Sequence, residues 1–183
     1  YTYLTYREQG EPIEIVVMQP NINPYTGAFD DTGEVYAMQK RIEYFIQLSE
    51  NKLTPQTKFL VWPECAIDSL LAEQQLDEYP LVKQLVNFTQ QYPQLSVLTG
   101  VNSLIGYTDK KATKTARFSR RYGYYDIFNT ALFVSNQGTL ATYHKSKLVP
   151  GVELVPYIYN IEIPKILTPD LRGKLNSLGT QDQ

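Results

Sequence analysis

Between Glu34 and about Asn51, the apolar residues Val35, Met38, Ile42, Phe45 and Ile46 recur at helical spacing. Such a stripe predicts an amphipathic helix laid against a core, and Asp31 and Thr32 just ahead can cap its first turn. Ahead of this helix, residues 13–19 form a short β-branched run that reads as a buried strand. It leads through Gln19-Pro20-Asn21 into a loop rich in Pro, Gly and Asp that ends at Gly33. Pro55 breaks the chain again, and residues 58–62 read as a second buried strand. Leu81, Val82, Leu85, Val86 and Phe88 predict a second helix that stops near Pro93, and residues 95–101 a third strand. Strands alternating with helices imply a parallel sheet with crossover helices, hence an α/β fold.

The pattern then changes. Residues 102–126 read as a long polar, Tyr-rich insertion. Residues 128–135 and 139–143 are two strands joined by Asn136-Gln137-Gly138, a hairpin signal. Residues 157–163 predict one more strand, and beyond Pro164 only a loop is legible. No internal repeat or low-complexity tract interrupts the chain.

Composition narrows the classes. The 183 residues have room for one domain with a substantial core. Hydrophobic residues make up 43% and charged residues 20%, which argues against disorder. A net charge of -2 gives no general electrostatic reason for nucleic-acid binding. The one cysteine, Cys65, excludes an internal disulfide. The longest clean apolar runs, 15–18 and 131–134, have strand length and fall far short of a membrane span. Tyrosine is frequent, with 15 copies, and suits surfaces that are half apolar and half wet, including membrane interfaces. The chain opens on Tyr1 and ends in Thr-Gln-Asp-Gln, and both ends are expected to be cuts in a longer protein.

Candidate chemistry lies at the strand ends, where open α/β sheets gather their functional groups. Pro63 cannot continue a central strand, so Trp62-Pro63-Glu64 should turn and project Glu64 into the crevice. Taken alone, the tripeptide reads as well as a surface acid in a strand-to-helix loop. The second motif is Tyr143-His144-Lys145-Ser146-Lys147-Leu148-Val149-Pro150, followed by Glu153. Lys145 directly follows the hairpin's second strand, and a solvated basic turn is the plain alternative. Lys147 fits that alternative. His144, the one histidine, has no partner spacing that would support a metal site and reads as a packing or surface residue.

In order along the chain come strand-Trp62-Pro63-Glu64, Thr99-Gly100-Val101, Phe128-Asn129-Thr130-Ala131, Gly138, and Tyr143-x-Lys145-x-x-Leu148-Val149-Pro150. This order resembles the nitrilase, or carbon–nitrogen hydrolase, superfamily. The Trp62 of Trp62-Pro63-Glu64, the Leu148 to Pro156 tail and the Gln19-Pro20-Asn21-Ile22 segment look like the apolipoprotein N-acyltransferase family. The resemblance runs from about Ile13 to the end. It implies a nitrilase-like αββα sandwich, incomplete at the C-terminus, with residues 1–12 a linker from a preceding membrane region and 13–183 a partial carbon–nitrogen hydrolase domain. It also implies Glu64 as general base, Lys145 as the lysine of the site, Glu153 as a second functional glutamate and Phe29 as a substrate-facing aromatic. Gly151-Val152 departs from the pattern, since many members carry an aromatic and then glycine there. The family's nucleophilic cysteine follows a strand beyond the lysine, so this chain is expected to stop before it. Cys65 reads as a small structural thiol.

The implied activity is two-step acyl transfer through a cysteine thioester. A phospholipid is the acyl donor, the amino-terminal diacylglyceryl-cysteine of an apolipoprotein the acceptor, and no metal or other cofactor takes part. The domain would sit at a membrane surface, on the periplasmic side of a bacterial inner membrane. Lys110, Lys111, Lys114, Arg117, Arg120 and Arg121, followed by Tyr122, Tyr124, Tyr125 and Phe128, suit an anionic headgroup boundary, and equally a solvated loop. Two other readings stay open: a nitrilase-type amidase acting on small amides away from any membrane, and a binding module that keeps the fold without the chemistry.

Overall fold

Seven strands and two α-helices form a mixed α/β unit in the computed structural model of the chain, which describes residues 10–21, 34–64, 66–108, 112–150, 153 and 178–179. In chain order the elements are β1 (Glu14–Val17), α1 (Glu34–Glu50), β2 (Thr57–Val61), β3 (Ile67–Ala72) and a short 3-10 helix (Glu73–Glu78). Then follow α2 (Pro80–Thr89), β4 (Ser96–Tyr107), β5 (Arg117–Ser119), β6 (Gly123–Ser135) and β7 (Leu140–His144). The expected strand over 157–163, Phe29 and Cys65 lie outside the described residues.

All seven strands belong to one sheet in the order β1, β2, β4, β6, β5, with β3 also on β4 and β7 also on β6. β1, β2, β3 and β4 run parallel, whereas β6 runs antiparallel to β4, β5 and β7. Strand alternation then sorts the side chains onto two faces. One face carries Leu60, Val97, Val101, Leu132 and Val134 and packs with Met38, Ile42 and Phe45 of α1 and Val82, Leu85 and Phe88 of α2 in one buried cluster. These are the apolar positions whose spacing predicted the helices. Truncating a fully buried leucine such as Leu60 to alanine should cost about 2–5 kcal/mol. Pro80 opens α2, where its missing N–H would have no helical partner and its fixed φ suits the first turn.

The other face is open among the described residues. The register lines up Val17, Val61, Leu98, Phe133 and Ala141 across it. Ile15, Val17, Leu98 and Tyr143 are exposed there.

Two sequence expectations need correction. Glu64 does not lead into a helix, because β3 follows it and returns to β4. Residues 102–126 are not a free insertion either, since β4 runs on to Tyr107, β6 begins at Gly123, and β5 pairs with its start. Polar residues inside β4 hid that extension. Ser103 is buried, and its hydroxyl is matched by Glu73 at 2.5 Å and Thr130 at 2.6 Å.

Candidate active site

Glu64 owes its position to an interruption in strand pairing. Val61 of β2 pairs with Leu98 and Ile67 of β3 with Val101, so residues 62–66 must span only 99–100 on the neighbouring strand. The surplus chain bulges out of the sheet. Its base is pinned by the Trp62 N–H donating to the Leu98 carbonyl (2.8 Å) and the Gly100 N–H donating to the Pro63 carbonyl (3.3 Å). Trp62 points into the helix-covered core, where its indole N–H donates to Ser49 Oγ (3.0 Å) and its ring meets Phe45 edge-on, with centroids 5.3 Å apart. With the tryptophan so anchored, Glu64 is displayed at the carboxyl ends of the parallel strands, its side chain 59% exposed.

Lys145 reaches the same place from the far side of β6, past the end of a strand that runs parallel to β2. It follows β7 directly, and its backbone N–H donates to the Asn129 carbonyl of β6 (2.8 Å). Its ammonium donates to Glu64 Oε1 (3.1 Å) and to Glu153 Oε1 (3.0 Å). Asn129, on the open face opposite Asn102 of β4, donates its side-chain amide to Glu64 Oε1 and, at 3.0 Å, to Glu153 Oε1. Glu153 Oε2 accepts the Val149 N–H (2.8 Å), so the carboxylate closes its own loop. Residues 81 apart in sequence are thereby brought within one ion-pair distance. Glu64 Oε2 has no hydrogen-bond partner among the described residues, on a side chain that is 59% exposed.

The electrostatics follow from this geometry. Hydrogen bonding to Glu153 holds the Lys145 ammonium above the ordinary lysine range, against burial and with help from Glu64. Burial pushes the Glu153 carboxyl up, but the Val149 N–H, Lys145 and Asn129 outweigh it and leave Glu153 below the ordinary glutamate value. The site therefore holds a fixed cation between two carboxylates, one largely sheltered and one open to solvent. No group of three metal-ligating side chains occurs among the described residues.

His144 is drawn into a separate cluster on the covered face. Its Nε2 lies 2.6 Å from Glu73 Oε1, and its ring stacks on Phe128 at 3.9 Å. Glu73 also accepts from Ser103 (2.5 Å) and Thr142 (3.2 Å). Sequence reasoning singled out neither Asn129 nor Glu73. Asn129 did carry a signal, since it lies in the Phe128-Asn129-Thr130-Ala131 motif one strand residue from the covered face. Glu73 carried none, because its partners are 30 and 71 positions away.

The chain comes back to this site at Leu178 and Gly179. Their N–H groups donate to the carbonyls of Glu153 and Ile127, both at 2.9 Å. A Cβ on Gly179 would lie 2.2 Å from Cε1 of the Phe128 ring, so the close approach requires glycine. Among the described residues no helix is long and apolar enough to cross a membrane.

No protein-family model matches the chain, and no curated protein matches it in sequence. Solved structures do. One is a CN-hydrolase superfamily protein from Xanthomonas campestris with an arsenic adduct in its active site, 16% identical over 61% of this chain at a TM-score of 0.35. Another is the glutamine-dependent NAD+ synthetase of Acinetobacter baumannii in complex with ADP, 12% identical over 61% of this chain, also at 0.35. A third is an amidase from Nesterenkonia sp., 17% identical over 78% of this chain at 0.40. The chain spans 36%, 19% and 46% of these three proteins respectively, less than half of each.

Proposed function

We propose that Glu64, Lys145 and Glu153 form the proton-transfer and oxyanion-binding part of a nitrilase-type acyl-transfer site, and that the intact protein moves a fatty acyl chain from a phospholipid to the amino-terminal cysteine of a lipoprotein. The observation that carries this reading is the Lys145 ammonium held at 3.1 Å and 3.0 Å between two carboxylates on the open face at the strand ends.

In such a site a cysteine thiol gives its proton to Glu64 Oε2, the oxygen left unbonded, because the thiolate is the strong nucleophile. The thiolate attacks the ester carbonyl, and the charge that builds on oxygen is met by the fixed ammonium of Lys145. This stabilises the transition state more than the neutral ester. Collapse forms the thioester and expels the lysophospholipid alkoxide, which takes the proton back from Glu64. The lipoprotein amine then attacks the thioester, with Glu64 accepting its proton and returning it to the departing cysteine thiolate. Glu153 and Asn129 touch Lys145 and Glu64 and keep the two at working distance. The thiol itself lies past the lysine in the family the sequence resembles.

The second reading, a nitrilase-type amidase, uses the same cluster on a small amide and differs only in donor and acceptor. The decisive experiment supplies the intact protein with a labelled phospholipid and a diacylglyceryl-cysteine peptide, or with simple amides, and follows enzyme-bound thioester and products by mass spectrometry. Acylated peptide and released lysophospholipid, both lost in Glu64→Gln, support the transferase. Amide turnover alone supports the amidase. No turnover of either would sink the catalytic reading and leave a binding module.

A further inference from the structure

Past the site, β4 and β6 continue together as an arm. Their ladder runs on from the Asn102 and Asn129 pair to the Tyr107 and Tyr124 pair, roughly 17 Å further at the usual strand rise. β5 adds a short third strand, and the turn after Ser119 folds back at Gly123, which has the positive φ of 69° that favours glycine. The arm is tied together by a buried hydrogen-bonded carboxylate. Asp126 is fully buried and accepts hydrogen bonds from the Tyr107 hydroxyl (2.9 Å) and Thr113 (2.5 Å). Burial and the neighbouring Asp126 push the Tyr107 phenol far up, so it stays a donor.

The tip is of a different character. Phe118 is 64% exposed and Tyr122 41%. Lys114, Arg120 and Arg121 are exposed around them. No acidic residue occurs from Lys110 to Tyr125, and the first one, Asp126, is withdrawn into the base. In a chain of net charge -2, this is a local cationic surface studded with aromatics. A single-stranded nucleic acid would need open ring faces on which bases can stack. Here each ring already has a partner. The Arg121 guanidinium sits 5.2 Å over the Tyr122 ring, Tyr122 meets Tyr125 edge-on at 5.7 Å, and Phe118 tilts against Tyr124 at 5.1 Å. Apolar ring edges between cations suit the boundary between anionic headgroups and acyl chains.

We propose that the tip of the β5 and β6 hairpin is a docking surface for an anionic phospholipid bilayer. It rests on the reading of the site as one fed by a membrane phospholipid only for its purpose, since docking is measured without catalysis. Flotation of the chain with vesicles of phosphatidylglycerol and phosphatidylcholine should show binding that weakens as salt rises, and little binding to phosphatidylcholine alone. Arg120→Gln with Arg121→Gln should weaken binding on the order of thirty-fold, about five-fold per arginine. Arg120→Lys with Arg121→Lys should retain it, and Phe118→Ser with Tyr122→Ser should weaken it at every salt concentration. Glu64→Gln should float like the parent chain, so failure of the proposed chemistry leaves this result intact. Equal binding to both vesicle types, or undiminished binding by the glutamine pair, overturns the proposal. So does tighter binding to a single-stranded RNA oligonucleotide that the same variants weaken.

Discussion

Two charged clusters lie back to back in this sheet, separated by one peptide bond. His144 turns to the covered face and meets Glu73, both side chains 14% exposed, within a set of hydroxyls from Ser103, Thr130 and Thr142. Lys145 turns to the open face and meets Glu64 and Glu153. The groups of the first cluster are largely sheltered and bonded to one another, so it works as a structural joint between β4, β6, β7 and the 3-10 helix. The second keeps one carboxylate largely in water with an oxygen to spare, which a joint has no use for and the proton transfer proposed for Glu64 needs. Desolvation sorts the two roles: buried polar groups are costly to leave unmatched, whereas a solvated pair contributes little to stability.

Breaking the open cluster should therefore cost function and spare the fold. Glu64→Gln in the intact protein is expected to lower turnover by about 10²–10⁴-fold, as loss of a proton-transfer group does. Its melting temperature should match the parent's, and a variant that loses both together would erase the distinction between the clusters. Breaking the covered cluster should do the reverse. Glu73→Ala strips Ser103, Thr142 and His144 of their acceptor and should cost about 2–4 kcal/mol in denaturant unfolding, with Glu73→Gln costing less. A loss below that of Glu64→Ala would refute the structural role.

A smaller effect is expected where the two clusters share a wall. Gly179→Ala drives a methyl into the Phe128 ring that stacks on His144, and should cost about 1–3 kcal/mol by calorimetry. An unchanged melting temperature would mean the chain does not pack there in solution.

The smallest effect is in the pH dependence. Glu153 is held below its ordinary value, so its contribution is present above the unfolded glutamate range and is lost as pH falls through its lowered folded value. Lys145 is held above its ordinary value, so its contribution is full below the unfolded lysine range and is lost as pH rises through its raised folded value. Between these limits the pair stays ionised. Glu153→Gln should therefore reduce stability across neutral pH by less than about 1 kcal/mol, because the amide oxygen can still accept and Lys145 keeps Glu64 as a partner, and the gap to the parent should close in acid. A gap that widens on acidification would contradict the assignment.

Where local pattern and tertiary demand agree, the sequence was legible. The stripe of Met38, Ile42 and Phe45 placed α1 within a residue of its end, and Asn136-Gln137-Gly138 placed the turn between β6 and β7, where Gly138 takes a φ of 78°. β3 was not legible, because Asp68 and Ser69 interrupt it and Leu70 is exposed beside the buried Leu71. Its partner is the far half of β4, which was hidden in turn by the buried Ser103. In the site, Glu64 and Lys145 announced themselves by standing at strand ends in motifs. Asn129 holds them in place, and Glu73 anchors the neighbouring His144, through contacts that no sequence window spans.

The alternation of His144 and Lys145 makes the register of β7 on β6 a coding frame for the site. A slip of β7 by one place would exchange its two faces. The imidazole would then stand on the open face and the ammonium be driven in against Glu73 and Phe128. A change of register that removes no side chain would dismantle the Lys145 cluster as surely as losing the lysine, and restoring the register would rebuild it.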